Sequence, residues 1–203
     1  MATAADIITS ARFDLRDTDE TQYSDAMLLD FLNRGLRPLS VVLSMLSSDW
    51  VNDTSDLTLA SAASTITLPT YFISDITVRI STDYLTKNSV SSIRRTLVDS
   101  TSGEPENYAI QSTTMMFERV ADAEYTVVLE YNKYEADLAS TDTMPYNGEC
   151  NDILRQFITL SAKSRNEYSI MNDAAIYDFF YEALFSKFVA RNYISNFSKR
   201  TNF

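Results

Sequence analysis

The sequence predicts an α+β fold: a helical bundle formed by both chain ends, an inserted, mostly antiparallel β-domain, and an extended C-terminal tail. Three observations carry this. Apolar residues recur at helical spacing before residue 50 and again after residue 150. Between those stretches the period falls to two and Ser and Thr become frequent. The last 21 residues, from Ala183, hold none of the 28 acidic residues of the chain, yet carry Lys187, Arg191, Lys199 and Arg200. The expected boundaries are 1–50 and 137–190 for the bundle, 51–136 for the β-rich insertion and 191–203 for a docking tail. Helices at both ends around a run of strands are most economically one bundle interrupted by one insertion.

The N-terminal elements follow from local signals. Ile7, Ile8, Ala11 and Leu15 predict a helix over 4–15. Arg16 to Thr21 reads as a polar loop. Ser24 is placed to cap a second helix, with Asp25 near its positive end. Leu28, Phe31, Leu32 and Leu36 form its stripe. Gly35 and Pro38 predict a kink or a break, because Pro lacks the donor that a helix interior uses. Leu39, Val42, Leu43 and Leu46 continue beyond it, towards Asp49-Trp50.

In the middle, Asp56–Leu59 and Thr65–Leu68 read as strands joined by a polar turn, and Pro69 ends the second. Ile76, Val78 and Ile80 alternate with Thr77 and Arg79. Val90 to Leu97 is a further strand candidate, which would carry Arg94-Arg95. Tyr108–Gln111, Met115–Arg119 and Tyr125–Tyr131 read as successive antiparallel strands, with Ala121–Glu124 as a hairpin turn. Tyr125, Val127, Leu129 and Tyr131 would line one face. Helical character returns with Asn151 as cap and Ile153, Leu154, Phe157, Ile158 and Leu160 as stripe. A last helix, capped by Asn172 or Asp173, would bury Ile176, Tyr177, Phe180, Leu184 and Phe188.

Composition removes whole classes of chemistry. There is no His, so neither His-dependent nucleophilic triads nor imidazole metal sites are available. The single Cys150 makes no internal disulfide or thiolate zinc site. Three glycines, at 35, 103 and 148, cannot build a phosphate loop. Asp14, Asp17, Asp19 and Glu20 are the densest acidic group. Asp17-Thr18-Asp19 begins like a calcium loop, but Gln22 stands where that loop needs Gly, and Leu28 where its last ligand belongs. A helix-linking loop with solvated charges is the expectation there. The chain is thus expected to be no enzyme, with no cofactor and no metal. No apolar run spans a bilayer and no basic leader opens the chain, so a soluble protein made in the cytoplasm is expected.

A net charge of -11 argues against grasping a nucleic-acid backbone, though an acidic wall would let DNA pass without sticking. The tail has the opposite character. Phe185, Phe188, Tyr193, Phe197 and Phe203 alternate there with basic residues, and aromatics with Arg are enriched at protein interfaces. Arg191, Tyr193, Phe197, Lys199, Arg200 and Phe203 are the candidate partner-binding residues.

Ala11-Arg12-Phe13-Asp14-Leu15-Arg16-Asp17 leads to Tyr23-Ser24-Asp25 and then to Leu28-Leu29-Asp30-Phe31-Leu32-Asn33. This resembles the opening of the head-to-tail adaptor (connector) proteins of tailed bacteriophages: an arginine helix, an acidic loop, an aromatic-Ser/Thr-Asp cap and a helix with a late Asn. Met144-Pro145-Tyr146 before a long helix also fits. The resemblance covers about 45 residues in front and about 50 behind. It implies a homo-oligomeric ring, usually of twelve subunits, in the virion neck beneath the portal. Double-stranded DNA would pass through its lumen, and tail or nozzle proteins would attach below. The six candidate tail residues would then dock on the portal. The competing reading is a polysaccharide-binding or degrading virion module, with Tyr71, Tyr84, Tyr108, Tyr125 and Tyr131 stacking on sugar rings. A cellular interaction scaffold is a third.

Overall fold

A computed structural model describes residues 1–20, 22–45, 49–99 and 101–166, together with 178, 181–183 and 186. The chain divides into two compact units, Met1–Trp50 with Tyr134–Phe203, and Val51–Lys133.

In the first unit, α1 runs from Ala4 to Leu15. Thr3 caps it reciprocally with Asp6, and Arg16 ends it in the left-handed conformation. Helix α2 spans Asp25–Met45. Ser24 starts it, accepting the Met27 N–H on its hydroxyl and the Leu28 N–H on its carbonyl. The expected break at Pro38 does not occur: Pro38 lies inside α2. The Arg34 carbonyl forgoes its usual donor, but Arg34 and Arg37 are exposed, so that carbonyl is on the wet side of the helix. Gly35 is instead a packing notch. A Cβ placed there would lie 2.9 Å from the Phe157 ring and 3.1 Å from Leu154.

Phe157 and Leu154 belong to the helix Asn151–Asn166, which packs on both α1 and α2. Asn151 is its first residue rather than its cap; the Cys150 carbonyl accepts the Leu154 N–H. Leu28, Leu32, Leu36, Leu39, Leu43 and Leu154 are fully buried, as the helical stripes require. Asp178, Tyr181–Ala183 and Ser186 are helical; the rest of the expected last helix, and Leu46, lie outside the described residues.

Among the described residues the second unit holds eight strands in two four-stranded sheets, ordered β1-β8-β3-β4 and β2-β7-β6-β5. Their spans are β1 Asn52–Leu59, β2 Thr65–Thr67, β3 Phe72–Ile80, β4 Asp83–Tyr84, β5 Thr86–Lys87, β6 Asn107–Gln111, β7 Thr114–Phe117 and β8 Tyr125–Lys133. All pairs are antiparallel except β5 with β6. The expected hairpin at Ala121–Glu124 does not form, and the polar turn between β1 and β2 does not pair its flanking strands either. β1 pairs with β8 and β2 with β7, so the polar turn between β1 and β2 changes sheets. β7 and β8 likewise belong to different sheets, and Ala121–Glu124 is a crossover. Val127, Leu129 and Tyr131 do share the buried face, with Tyr125 packed at its margin. Ile76 leaves the alternation, because the ladder to β8 shifts register between Asp75 and Thr77 and turns it outward, 45% exposed.

Val90–Leu97 is not a strand. Residues Val90–Asp99 form α3, the chain's third helix, and the helix Asn151–Asn166 is therefore α4. Ser89 caps α3 by accepting the Ser92 N–H, and Ile93 is its buried anchor. Arg94 and Arg95 accordingly sit on a helix, both exposed, with Arg94 donating to the Gln111 side chain at 2.7 Å.

Candidate functional site

The residues that carry the resemblance converge on one buried cluster in the first unit. Arg12 is 5% exposed. Its Nη1 donates to Asp17 Oδ2 at 3.2 Å, and its Nε and Nη2 donate to Asp25 Oδ1 at 3.1 and 2.6 Å. Asp17, expected as a solvated charge, is buried. It also accepts the backbone N–H groups of Gln22 at 3.1 Å and Tyr23 at 3.0 Å. One guanidinium thus joins α1, the loop after it and the first turn of α2. A buried carboxylate with a cation and two amides is satisfied, whereas an unpaired one is costly. A cleft of about 480 Å³ opens beside the cluster, with Ile8, Ala26 and Leu29 on its apolar side and Glu20 and Asp25 on its acidic side.

The late Asn of the motif holds the returning chain. Asn33 donates from Nδ2 to the Leu138 carbonyl at 3.1 Å and accepts the Leu138 N–H on Oδ1 at 2.9 Å. Its amide imitates a neighbouring strand for one residue. Further along, the Ser40 and Tyr146 hydroxyls lie 2.9 Å apart, and Ser40 Oγ accepts the Glu135 N–H. Burial pushes the Tyr146 hydroxyl well above its ordinary pKa. Trp50 stacks on Tyr146 with ring centroids 6.3 Å apart. Tyr146, Asn147 and Gly148 all take positive φ, so the chain turns left-handed before α4 begins. Arg155 of α4 reaches Asp14 of α1 at 3.3 Å.

The second unit has its own polar fastening. Asp75 on β3 meets the Lys87 ammonium and accepts the Tyr108 hydroxyl at 2.6 Å, which ties one sheet to the other. Burial alone would raise the Asp75 carboxyl, but Lys87 and Tyr108 outweigh it and hold it below the usual carboxylate range. Burial, then the adjoining carboxylate, pushes Tyr108 up. Glu118, also buried, accepts the backbone N–H groups of Glu106 and Asn107 at 2.8 and 2.9 Å. These contacts explain structure, and none presents a nucleophile beside a base. Among the described residues no group of acidic or thiol side chains could hold a metal ion, and no helix is long and apolar enough to cross a membrane.

The sugar-stacking set does not form a platform. Tyr108 and Tyr131 are core residues and Tyr125 is half-buried, leaving Tyr71 and Tyr84 exposed at 46% and 70%. The six candidate partner-binding residues, Arg191, Tyr193, Phe197, Lys199, Arg200 and Phe203, lie outside the described residues. What the sequence reading missed is the burial of Arg12 and Asp17. The available signal was an arginine on the apolar side of α1, one position after Ala11.

No curated protein matches the chain in sequence. The sequence pattern of the SU10 adaptor protein family matches residues 2–194, a span that takes in the Arg12 cluster, the β-rich unit and α4. With nearly its whole length matched, the chain belongs to the SU10 adaptor protein family, and is a head-to-tail adaptor of the tailed-phage kind.

Proposed function

We propose that this chain is a subunit of a homo-oligomeric ring, of twelve copies, that docks beneath the portal in the virion neck, extends the DNA channel and gives tail or nozzle proteins their attachment platform. The observation that carries the proposal is the family match over residues 2–194, which includes both compact units. Family membership supports a structural role in the virion, with portal and tail components as partners and self-association as the mode. The charge pattern supports the finer reading. A chain of net charge -11 repels the DNA backbone, so double-stranded DNA can pass a lumen built from it without being held. The basic, aromatic segment 191–203 is the part chemically suited to an acidic docking surface, with Tyr193, Phe197 and Phe203 as anchors and Arg191, Lys199 and Arg200 as guides.

The same charge makes free copies repel one another, so rings form on the portal rather than in advance of it. The test is a pull-down with the portal using the full chain and a chain ending at Arg191. The full chain should be retained and the shortened one lost. Equal retention of both would remove the docking role of the tail. Failure of both would remove the portal as partner.

A further inference from the structure

We propose that the outer edge of β1 is a strand-addition site, and that its occupant is residues 191–203 of a second copy of this chain, added in extended conformation. The inference rests on the ring reading in one respect, that copies stand beside one another.

β1 ends its sheet. Its eight residues pair with β8 from Asn52↔Asn132 to Leu59↔Tyr125 without a register shift, and among the described residues no strand lies on its other side. The Thr54 N–H shows which way the edge faces. It donates to the carboxylate of its neighbour Asp53 at 2.9 Å instead of across the ladder. In an antiparallel strand the backbone groups of alternate residues point to the same side, so those of Asp56 and Thr58 also face away from β8. The other terminal strands are two or three residues long: β4 and β5 have two residues each and β2 has three. β4 covers only Arg79 and Ile80 of β3, but the rest of that strand is broken by two register shifts. Among the described residues β1 is thus the longest edge with an unshifted ladder behind it. It also lacks the Lys, Pro and bulge by which exposed edges are usually blunted. What guards it is acidic: Asp53, which caps the Thr54 N–H and pairs with Lys133 at 3.2 Å, and the exposed Asp56.

Residues 191–203 hold three cations and no acid, which complements Asp53 and Asp56. They contain neither Gly nor Pro, and Tyr193, Ile194, Phe197, Thr201 and Phe203 are strand-forming types. Extended backbone puts alternate side chains on one face, and Arg191, Tyr193, Phe197, Lys199 and Phe203 all fall on the same one. A strand added to β1 would therefore pair through its backbone and display the aromatic row on a single face, free for another partner. Thirteen extended residues span roughly 43 Å, against roughly 26 Å for eight-residue β1, so the segment covers the edge with chain to spare. In a head-to-tail ring every copy offers one edge and one segment, which is the pairing rule such rings need.

The test needs no portal, so its failure and failure of the ring reading are separable. A fluorescein-labelled peptide of residues 189–203 is titrated into the full chain and its anisotropy followed. Backbone amide exchange is then measured with and without excess peptide. The expected result is saturable binding, with slower exchange at Thr54, Asp56 and Thr58; the amides of Ser55 and Leu57, already in the ladder, change little. Thr54→Pro removes an outward N–H while sparing the ladder, and Asp56→Lys reverses the edge charge at an exposed position. Each should weaken binding at least tenfold. If Thr54→Pro perturbs folding by circular dichroism, Asp56→Lys carries the test alone. A peptide of the same composition in scrambled order should not bind. Equal binding of the scrambled peptide, protection confined to the cleft beside Arg12, or no binding would each overturn the proposal. So would amides at 56 and 58 that are already protected in the dilute free chain.

Discussion

Replacing Arg12 by Met tests whether the buried cluster is what organises α1, its loop and α2. Met keeps most of the apolar bulk and removes the charge. The Asp17 side chain, 1% exposed, then loses the Arg12 charge while it still accepts the Gln22 and Tyr23 amides. Removing one partner of a buried pair costs about 3–5 kcal/mol. The Asp25 side chain is 65% exposed, and its share of the interaction is screened by water and small, below about 1 kcal/mol. Because two amides still serve Asp17, the lower end applies, and the expected loss is about 3 kcal/mol. Urea unfolding followed by Trp50 fluorescence is the assay. Trp50 is the single tryptophan and stacks on Tyr146 in the helical unit, so it reports on the unit that holds the cluster. With a urea slope of about 2 kcal/mol/M, the midpoint should fall by about 1.5 M. Adding Asp17→Asn should restore about 1–2 kcal/mol, since the buried charge that Arg12 balanced is gone. A loss under about 1 kcal/mol, or a double variant weaker by the sum of the two single losses, would refute the reasoning.

Gly35→Ala gains about 1 kcal/mol of helix propensity but sets a methyl 2.9 Å from a buried Phe157 ring, at a cost of about 1–3 kcal/mol; the same urea assay should show a net loss. Asn33→Ala removes both bonds to Leu138, and a stability loss of about 1–2 kcal/mol with faster exchange of the Leu138 amide is expected. The Asp75–Tyr108 tie gives a pH signature in the β-rich unit. Asp75 is depressed in the fold, so its contribution is full above the ordinary Asp value near 4 and is lost as pH falls through the lower folded value. Tyr108 is raised, so its contribution is full below about pH 10 and is lost as pH rises beyond it. Circular dichroism melts of Asp75→Asn across pH should therefore lose dependence on the acid limb; an unchanged acid limb would refute the tie.

The helical ends were legible because their cores are stripes. Ile7, Ile8 and Ala11 in α1, and Leu28, Phe31, Leu32 and Leu36 in α2, are buried as their spacing requires. The middle was less legible for three physical reasons. Val90–Asp99 is rich in β-branched residues, yet Val90, Ile93 and Leu97 keep helical spacing, and Ser89 supplied a cap. Strand neighbours in sequence need not be neighbours in the sheet, as β7 and β8 demonstrate. A single bulge put Ile76 out of phase with Val78 and Ile80. At the candidate site, the motif residues Arg12, Asp17, Asp25 and Asn33 were visible as types. Their role as one buried network was not, because a charged side chain in an acidic loop reads as solvated until its partner, five residues or more away, is brought to it by the turn.

The most direct test of the central claim is electron cryo-microscopy of the purified chain mixed with its portal. The account predicts a closed ring of this chain seated beneath the portal, coaxial with its channel, that is absent when the chain is imaged alone. Portal particles with no added ring, at concentrations where both proteins are intact, would contradict it.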